Sequence, residues 1–226
     1  MTKSKKIIHY VLLIVTAILF LMTLFPFFIV LINSAKASLE IITDPIGMPE
    51  HWSQLFKNIK EIWNKPTIKY SSSVLSSVII TGGSLITISL FSAMGAWVLV
   101  RTKTKTSTII FLLFLSGLII PFQVVMFPLV SLYRTIYETT GIRMLRTYHG
   151  MIVAYIGFGT PLSIFMFHGF IKSIPKELEE AATIDGCSKA KIFFQIILPL
   201  LRPIFVSVLI LNSIWIWNDF LLPSLI

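Results

Sequence analysis

Apolar residues run along this chain in long blocks separated by short polar stretches. Five blocks stand out, at about 7–32, 73–100, 108–132, 150–171 and 200–217, each bounded by charge or by Pro and Gly. A helix needs roughly 20 residues to cross a hydrocarbon core of about 30 Å. The pattern therefore predicts five membrane-spanning helices. Their connections are a long polar loop (33–72), a short basic turn (101–106), a middling loop (133–149) and a charged loop (172–199). The first block follows Lys3, Lys5 and Lys6, as a secretion signal would. It is too long for a signal's apolar region of about 7–15 residues, and no convincing small-residue cleavage site follows. It reads as an uncleaved first span.

Composition excludes a soluble fold. Of 226 residues, 55% are hydrophobic and only 13% charged, with a mean hydropathy of +0.86. Soluble domains carry about 25% charged residues. The net charge of +9 fits lysine and arginine flanking spans; no basic patch interleaved with aromatics suggests nucleic acid. The single cysteine, Cys187, rules out an intrachain disulfide framework. With the N-terminus placed in the cytoplasm, the basic tail, the Arg101/Lys103/Lys105 turn and the 172–199 loop all fall inside. Short, dense basic loops weigh most in setting orientation. The first outer loop is long and also holds Glu40, Asp44, Glu50 and Glu61.

The spans contain no Asp, Glu or Lys, and Arg202 and His168 lie near ends, where they can snorkel. Ion- and proton-coupled transporters place titratable groups at membrane depth. A solute moved uphill here therefore draws its energy from outside the membrane. The same lack disfavours an intramembrane enzyme, which needs convergent acid, base, nucleophile or metal groups. Gly82 and Gly83, Pro121 and Pro128, and Gly157, Gly159 and Pro161 interrupt the second, third and fourth spans. Two readings stay open, ordinary tolerance or hinges lining a polar pathway. Gln123 and Asn212 fit a pathway, and each equally fits a helix–helix hydrogen bond. Asn218 and Asp219 fit either the pathway or the outer rim.

The 172–199 loop carries its own helix signals. Pro175 suits a first helical position, Glu177, Glu179 and Glu180 suit the N-terminal turns, and Gly186 suits a stop. Leu178, Ala181, Ala182 and Ile184 form an apolar stripe, and a second helix can start near Ser188, carrying Ile192, Phe193 and Ile196 before Pro199. The expectation is an amphipathic helix of about three turns. It either lies on the bilayer surface or docks its small-residue face into a soluble partner.

Glu180-Ala181-Ala182, Gly186, Ile196 and Leu198-Pro199, at these spacings, resemble the signature loop of ABC-importer permeases. Pro26-Phe27, Asn33-Ser34 and Lys36 resemble the sugar-specific branch, close to the maltose-permease type. So do Thr147-Tyr148-His149-Gly150, Ile174-Pro175-Lys176-Glu177-Leu178, Asp185-Gly186-Cys187-Ser188, and Trp217-Asn218-Asp219-Phe220-Leu221-Leu222-Pro223. The resemblance implies an all-α, polytopic helical bundle of the type I importer fold. It divides as an N-terminal span with its outer loop (1–69) and a transporter domain (70–226). It implies a second permease subunit, cytoplasmic ATP-binding subunits, an extracytoplasmic solute-binding protein and a sugar substrate. An ABC-importer permease for another solute is the alternative.

On this resemblance the 180–186 segment is a coupling helix in the ATPase groove. Glu180 is an ion-pairing contact, Ala181 and Ala182 are close-packing positions, Asp185 stabilises the turn and Gly186 makes it; Ile196, Leu198 and Pro199 complete the loop. No phosphate-cradling Gly-x-x-x-x-Gly-Lys-Ser/Thr motif occurs, so ATP hydrolysis is expected in a separate subunit, with no cofactor here. Such permeases continue through a sixth span and a cytoplasmic tail. A sequence stopping at Ile226 is expected to be a shortened one. His149 and His168 are separated by nineteen residues of helix, roughly 28 Å, which argues against a metal site. His9 and His51 fit the interface or surface, Cys187 fits small packing, and Trp52, Trp63, Trp215 and Trp217 fit interfacial anchors.

Overall fold

The computed structural model describes residues 3–226, with side chains described from Lys5 onward. Every regular element among the described residues is helical. The chain forms two compact units, one ending at Ser73 and one beginning at Val74.

In the first unit, α1 (Lys3–Ser34) is followed by α2 (Ser38–Thr43) and α3 (Gln54–Asn64). The most apolar window of α1 has none of its residues buried within the protein. A helix apolar all round and packed on nothing needs lipid around it. Its C-terminal end is tied down by the polar residues that the sequence sets there. Asn33 Nδ2 donates to the Pro45 carbonyl at 2.9 Å, and the Lys36 ammonium, 1% exposed, donates to the Asp44 carbonyl. Asn58 Nδ2, on α3, donates to the carbonyls of Ser34 and Lys36, each at 2.9 Å. The long polar loop thus contains two helices that the block pattern does not predict. In α3 the spacing of Phe56, Ile59, Ile62 and Trp63 was legible as an amphipathic face, and all four stand exposed.

The second unit is built on α4 (Tyr70–Thr102), α5 (Lys105–Gly117), α6 (Phe122–Thr140), α7 (Tyr148–Ile171) and α8 (Glu177–Ile184). After α8 come α9 (Lys189–Ile192), a π-helical turn (Phe193–Ile197), α10 (Leu198–Leu200), α11 (Arg202–Asn218) and α12 (Leu221–Leu225). Among the described residues three helices are long and apolar enough to cross a membrane, α1, α4 and α7, or up to five spans if each bent pair counts as one. The chain is a multi-pass, all-α membrane protein.

Of the two readings left open for the interrupted spans, ordinary tolerance describes the second and fourth, and a break describes the third. The helices α4 and α7 run unbroken through Gly82-Gly83 and through Gly157, Gly159 and Pro161. On one stripe α4 buries Thr81, Ser84, Ile88, Ser89, Ser92, Ala93 and Ala96, and an added Cβ at Gly83 would stand 2.8 Å from Ile152 Cδ1. The third block, by contrast, is two helices bent by 104°. Pro121 has no amide to continue the ladder, and it holds Ile120 out of the helical region. The helix resumes after Pro121 and runs to Thr140, well into the region expected to be a loop.

The fifth block begins after a second bend, of 76°, at Leu201. Pro203 would clash with the carbonyl four residues back, so no straight helix passes through this point. Just before it, Leu198 N–H reaches past the usual partner to the Phe193 carbonyl, giving the π turn ahead of Pro199.

The bundle has two apolar clusters. One joins Ala93 and Ala96 of α4, Phe167 and Ile171 of α7, and the α8–α10 segment. The other gathers Ile88, Tyr133, Tyr155, Ile216 and Leu222. The Thr147-Tyr148-His149-Gly150 motif fixes the start of α7. Thr147 Oγ1 accepts from the Gly150 amide at 3.2 Å, the Tyr148 hydroxyl meets Ser76 Oγ at 2.9 Å, and the Tyr133 hydroxyl donates to the Gly150 carbonyl at 2.7 Å.

Candidate functional site

The candidate site is the segment between α7 and α11. At its root, α7 ends in tight turns, with Ser173 N–H donating to the Phe170 carbonyl and Ile174 N–H to the Ile171 carbonyl. Pro175 lies just before the capping residue, Lys176, and not at the first helical position expected for it. The Lys176 carbonyl accepts from Glu179 and Glu180, so α8 starts one residue later and, at 8 residues, makes about two turns where three were expected.

The acidic N-terminal turns split by face. Glu179 points inward: Oε1 lies 2.7 Å from both Arg101 Nε and Arg101 Nη2, and Oε2 accepts from Trp97 Nε1 at 3.0 Å. The same Arg101 donates from Nη2 to the Ile174 carbonyl at 3.0 Å. Both side chains are largely shielded, at 15% and 14% exposed, so the charges interact in a poorly solvated setting. This clamp fastens α8 to the end of α4. Sequence reasoning grouped Glu179 with its acidic neighbours. Its partners lie about eighty residues earlier in the chain, and no local pattern announces them.

The apolar stripe splits as well. Ala182 alone is buried, 7% exposed, and packs in the cluster with Ile192, Phe193 and Ile197. Leu178, Ala181 and Ile184 face outward, Ile184 at 86% exposure. Of the residues expected to face a partner, Glu180, Ala181, Asp185 and Gly186 form one exposed surface with Ile184, while Ala182 packs against its own chain. Ile196 and Leu198 are partly buried on that core, and Pro199 is exposed.

A Schellman cap closes α8. Gly186 adopts φ +78, its amide donates to the Thr183 carbonyl at 3.0 Å, and the Cys187 amide donates to the Ala182 carbonyl at 3.0 Å. Nothing lies near the position a Cβ would take, so glycine is there for its backbone freedom. Asp185 makes the last helical cap through its backbone, donating to the Ala181 carbonyl at 3.0 Å. Ser188 then caps α9, its Oγ accepting from the Lys191 amide at 3.3 Å, where the second helix was expected. The Trp97 and Phe193 rings meet at 5.5 Å and complete the join to α4.

The three residues considered for a pathway lie apart from this segment. Asn212 is 3% exposed and bridges helices, donating to Ser163 Oγ at 3.1 Å and to the Val208 carbonyl at 2.9 Å. The helix–helix alternative describes it. Its neighbourhood leaves no space for a side chain at Gly159, whose Cβ would lie 2.7 Å from Ile88 Cδ1 and 2.8 Å from Asn212 Oδ1. Gln123 is exposed at the start of α6. Asn218 is exposed at the end of α11 and donates to the Ile214 carbonyl at 2.8 Å. Asp219 turns the chain into α12, accepting from Leu221 N–H at 3.0 Å and from the Tyr155 hydroxyl at 3.1 Å. Among the described residues no group of three His, Cys, Asp or Glu is placed to hold a metal ion.

Known proteins share the sequence pattern and the fold. The binding-protein-dependent transport system inner membrane component family matches residues 85–226. The probable starch degradation products transport system permease protein AmyC of Thermoanaerobacterium thermosulfurigenes is 39% identical over 96% of this chain and 75% of its own length. The melibiose/raffinose/stachyose import permease protein MelC of Bacillus subtilis is 37% identical over 97% of this chain and 74% of its own. The fold superposes on a solved bacterial ABC transporter involved in the import of the acidic polysaccharide alginate. The TM-score is 0.79 at 18% identity, over 97% of this chain and 74% of that one. The chain belongs to the binding-protein-dependent transport system inner membrane components, the permease subunits of ABC importers.

Proposed function

We propose that this chain is one permease subunit of an ATP-driven, binding-protein-dependent sugar importer, forming half of the translocation pathway with a second permease. The α8 segment is its coupling helix, held in a groove of a cytoplasmic ATP-binding subunit, and the N-terminus is cytoplasmic. One observation supports the coupling role above the others: α8 is clamped to its own chain on one side and unpartnered on the other. Its inner side is fixed by the Glu179–Arg101–Trp97 contacts. Its outer side presents Glu180, Ala181 and Ile184 to whatever lies beyond.

Such a helix passes a push on its outer face to α4 and α7 without bending at its root. ATP hydrolysis belongs to the partner. Closure of two nucleotide-binding subunits would move the two coupling helices as rigid bodies and exchange one pore access for the other. The sugar reading is supported by the names of the relatives, which concern starch products and melibiose-type sugars.

Uptake of a panel of sugars, amino acids and anions, in cells carrying the complete system, tests both halves. Sugar uptake that survives collapse of the membrane potential while ATP is maintained is the expected result. Uptake of no sugar overturns the substrate class. Labelling of a cysteine at Ala181 from the cell exterior overturns the coupling role.

A further inference from the structure

A groove of about 710 Å³ opens beside the root of α8, away from its outer face. Its floor is apolar, made by Leu99 and Val100 of α4, Phe111 and Leu112 of α5, and Ile174 and Pro175 of the connecting segment. Its rim is cationic, with Lys103, Lys172 and Lys176 opposed by the lone carboxylate of Glu177. Arg101 also lines it but is committed to Glu179. His168 forms a wall, stacked on Phe111 with ring centroids 3.7 Å apart. Leu112 is 55% exposed and continues into the bare apolar flank of α5, where Ile109 and Leu113 are 58% and 65% exposed.

Three lysines from two connecting segments converge on one groove whose floor suits hydrocarbon. A free phosphate would use the lysines but not the floor. A neutral lipid would use the floor but not the lysines. Basic pockets between spanning helices on the cytoplasmic side suit anionic headgroups.

We propose that this groove holds one anionic phospholipid, its phosphate among Lys103, Lys172 and Lys176 and its acyl chains along Phe111 and Leu112. The proposal rests on the reading that the α8 end of the bundle lies at the cytoplasmic membrane surface. Lys172 and Lys176 stand on the segment joining α7 to α8, and Lys103 on the turn joining α4 to α5. A bound headgroup therefore ties the root of α8 to that turn and stiffens the lever.

The test is native mass spectrometry of the assembled, delipidated transporter titrated with phosphatidylglycerol or phosphatidylcholine. Phosphatidylglycerol is expected to be retained, one per copy of this chain, with at least a tenfold preference. The triple variant Lys103→Gln, Lys172→Gln, Lys176→Gln is expected to lose that retention, by roughly fivefold per lysine and on the order of a hundredfold in all. Lys57→Gln with Lys60→Gln serves as the control and leaves it unchanged. Should the triple variant fail to assemble, Lys103→Gln alone carries the comparison. Equal retention of the two lipids, retention unaffected by the lysine variants, or displacement by millimolar inorganic phosphate overturns the lipid site. Loss of sugar uptake by the wild-type complex overturns the transport reading instead, and leaves lipid retention as it was.

Discussion

Replacing Glu179 by Ala should loosen α8 from the bundle while leaving the bundle itself formed. The carboxylate receives two hydrogen bonds, from Arg101 Nε at 2.7 Å and Trp97 Nε1 at 3.0 Å, and an ion-pair contact with Arg101 Nη2 at 2.7 Å. A hydrogen bond to a charged group contributes about 1.5–3 kcal/mol, and breaking a fully buried pair costs about 3–5 kcal/mol. Here some 15% of each side chain still meets solvent, and exposed pairs contribute only about 0–1 kcal/mol. A loss of about 2–3 kcal/mol lies between these limits. It should appear as local opening of α8, because Ala182 alone of its residues is buried in the core.

Since about 1.4 kcal/mol is a factor of ten, amide exchange across 177–186 should accelerate by roughly 30- to 150-fold. Exchange across the buried stretch of α4 should hold. Glu179→Gln, which keeps an acceptor for Trp97, should give a smaller acceleration. Arg101→Ala combined with Glu179→Ala should fall well short of the sum of the single effects, since both remove the same contact. Hydrogen exchange read by mass spectrometry on the detergent-solubilised protein measures all four variants. Acceleration within threefold of wild type for Glu179→Ala, or equal to that of Glu180→Ala on the exposed face, would refute the clamp.

Ile184→Asp places a charge where 86% of the side chain meets solvent, so stability should move by less than about 0.5 kcal/mol. Co-purification of the ATP-binding subunits should nevertheless fall at least tenfold. Gly186→Val forces a branched residue to φ +78, at a cost of about 1–2 kcal/mol. Gly186→Asn, which tolerates that region, should retain most of the transport that Val loses in uptake assays. Gly159→Val drives carbon atoms against Ile88 and Asn212 at under 3 Å; overpacking of this kind costs about 1–3 kcal/mol, so the midpoint of thermal unfolding should fall, with Gly159→Ala intermediate.

The sequence pattern located the spans because lipid exposure demands unbroken apolar stretches, and α1, α4 and α7 follow from that alone. It left two readings open where a helix meets protein instead of lipid. The glycines of α4 and the Gly157–Pro161 region of α7 fit either breaks or ordinary tolerance in the sequence, and in the folded chain both helices continue. Pro121 does break its helix. The start of α8 falls at Glu177 and not at Pro175, while its stop at Gly186 was legible, because caps are local chemistry. Which glutamate would turn inward was not, because Arg101 and Trp97 reach it only through the tertiary fold. The amphipathic face of α3 was readable and passed unnoticed inside a loop counted as polar.

A lever delivers force only if its root is stiffer than the contact at its tip. The root of α8 is held by a shielded ion pair and an indole hydrogen bond, and by Ala182 packed with Ile192, Phe193 and Ile197. Those last residues belong to the segment that turns by 76° into α11. On the proposed coupling role, motion imposed on α8 would reach α4 through Glu179 and α11 through the Phe193 core, both from its inward side. Ile88 of α4 and Asn212 of α11 also lie so near Gly159 of α7 that an added Cβ would stand 2.7 and 2.8 Å from them. On the proposed coupling role, side chains packed this closely would carry the three helices together. A rigid switch of pore access requires that property, and a bundle joined only by flexible loops would lack it.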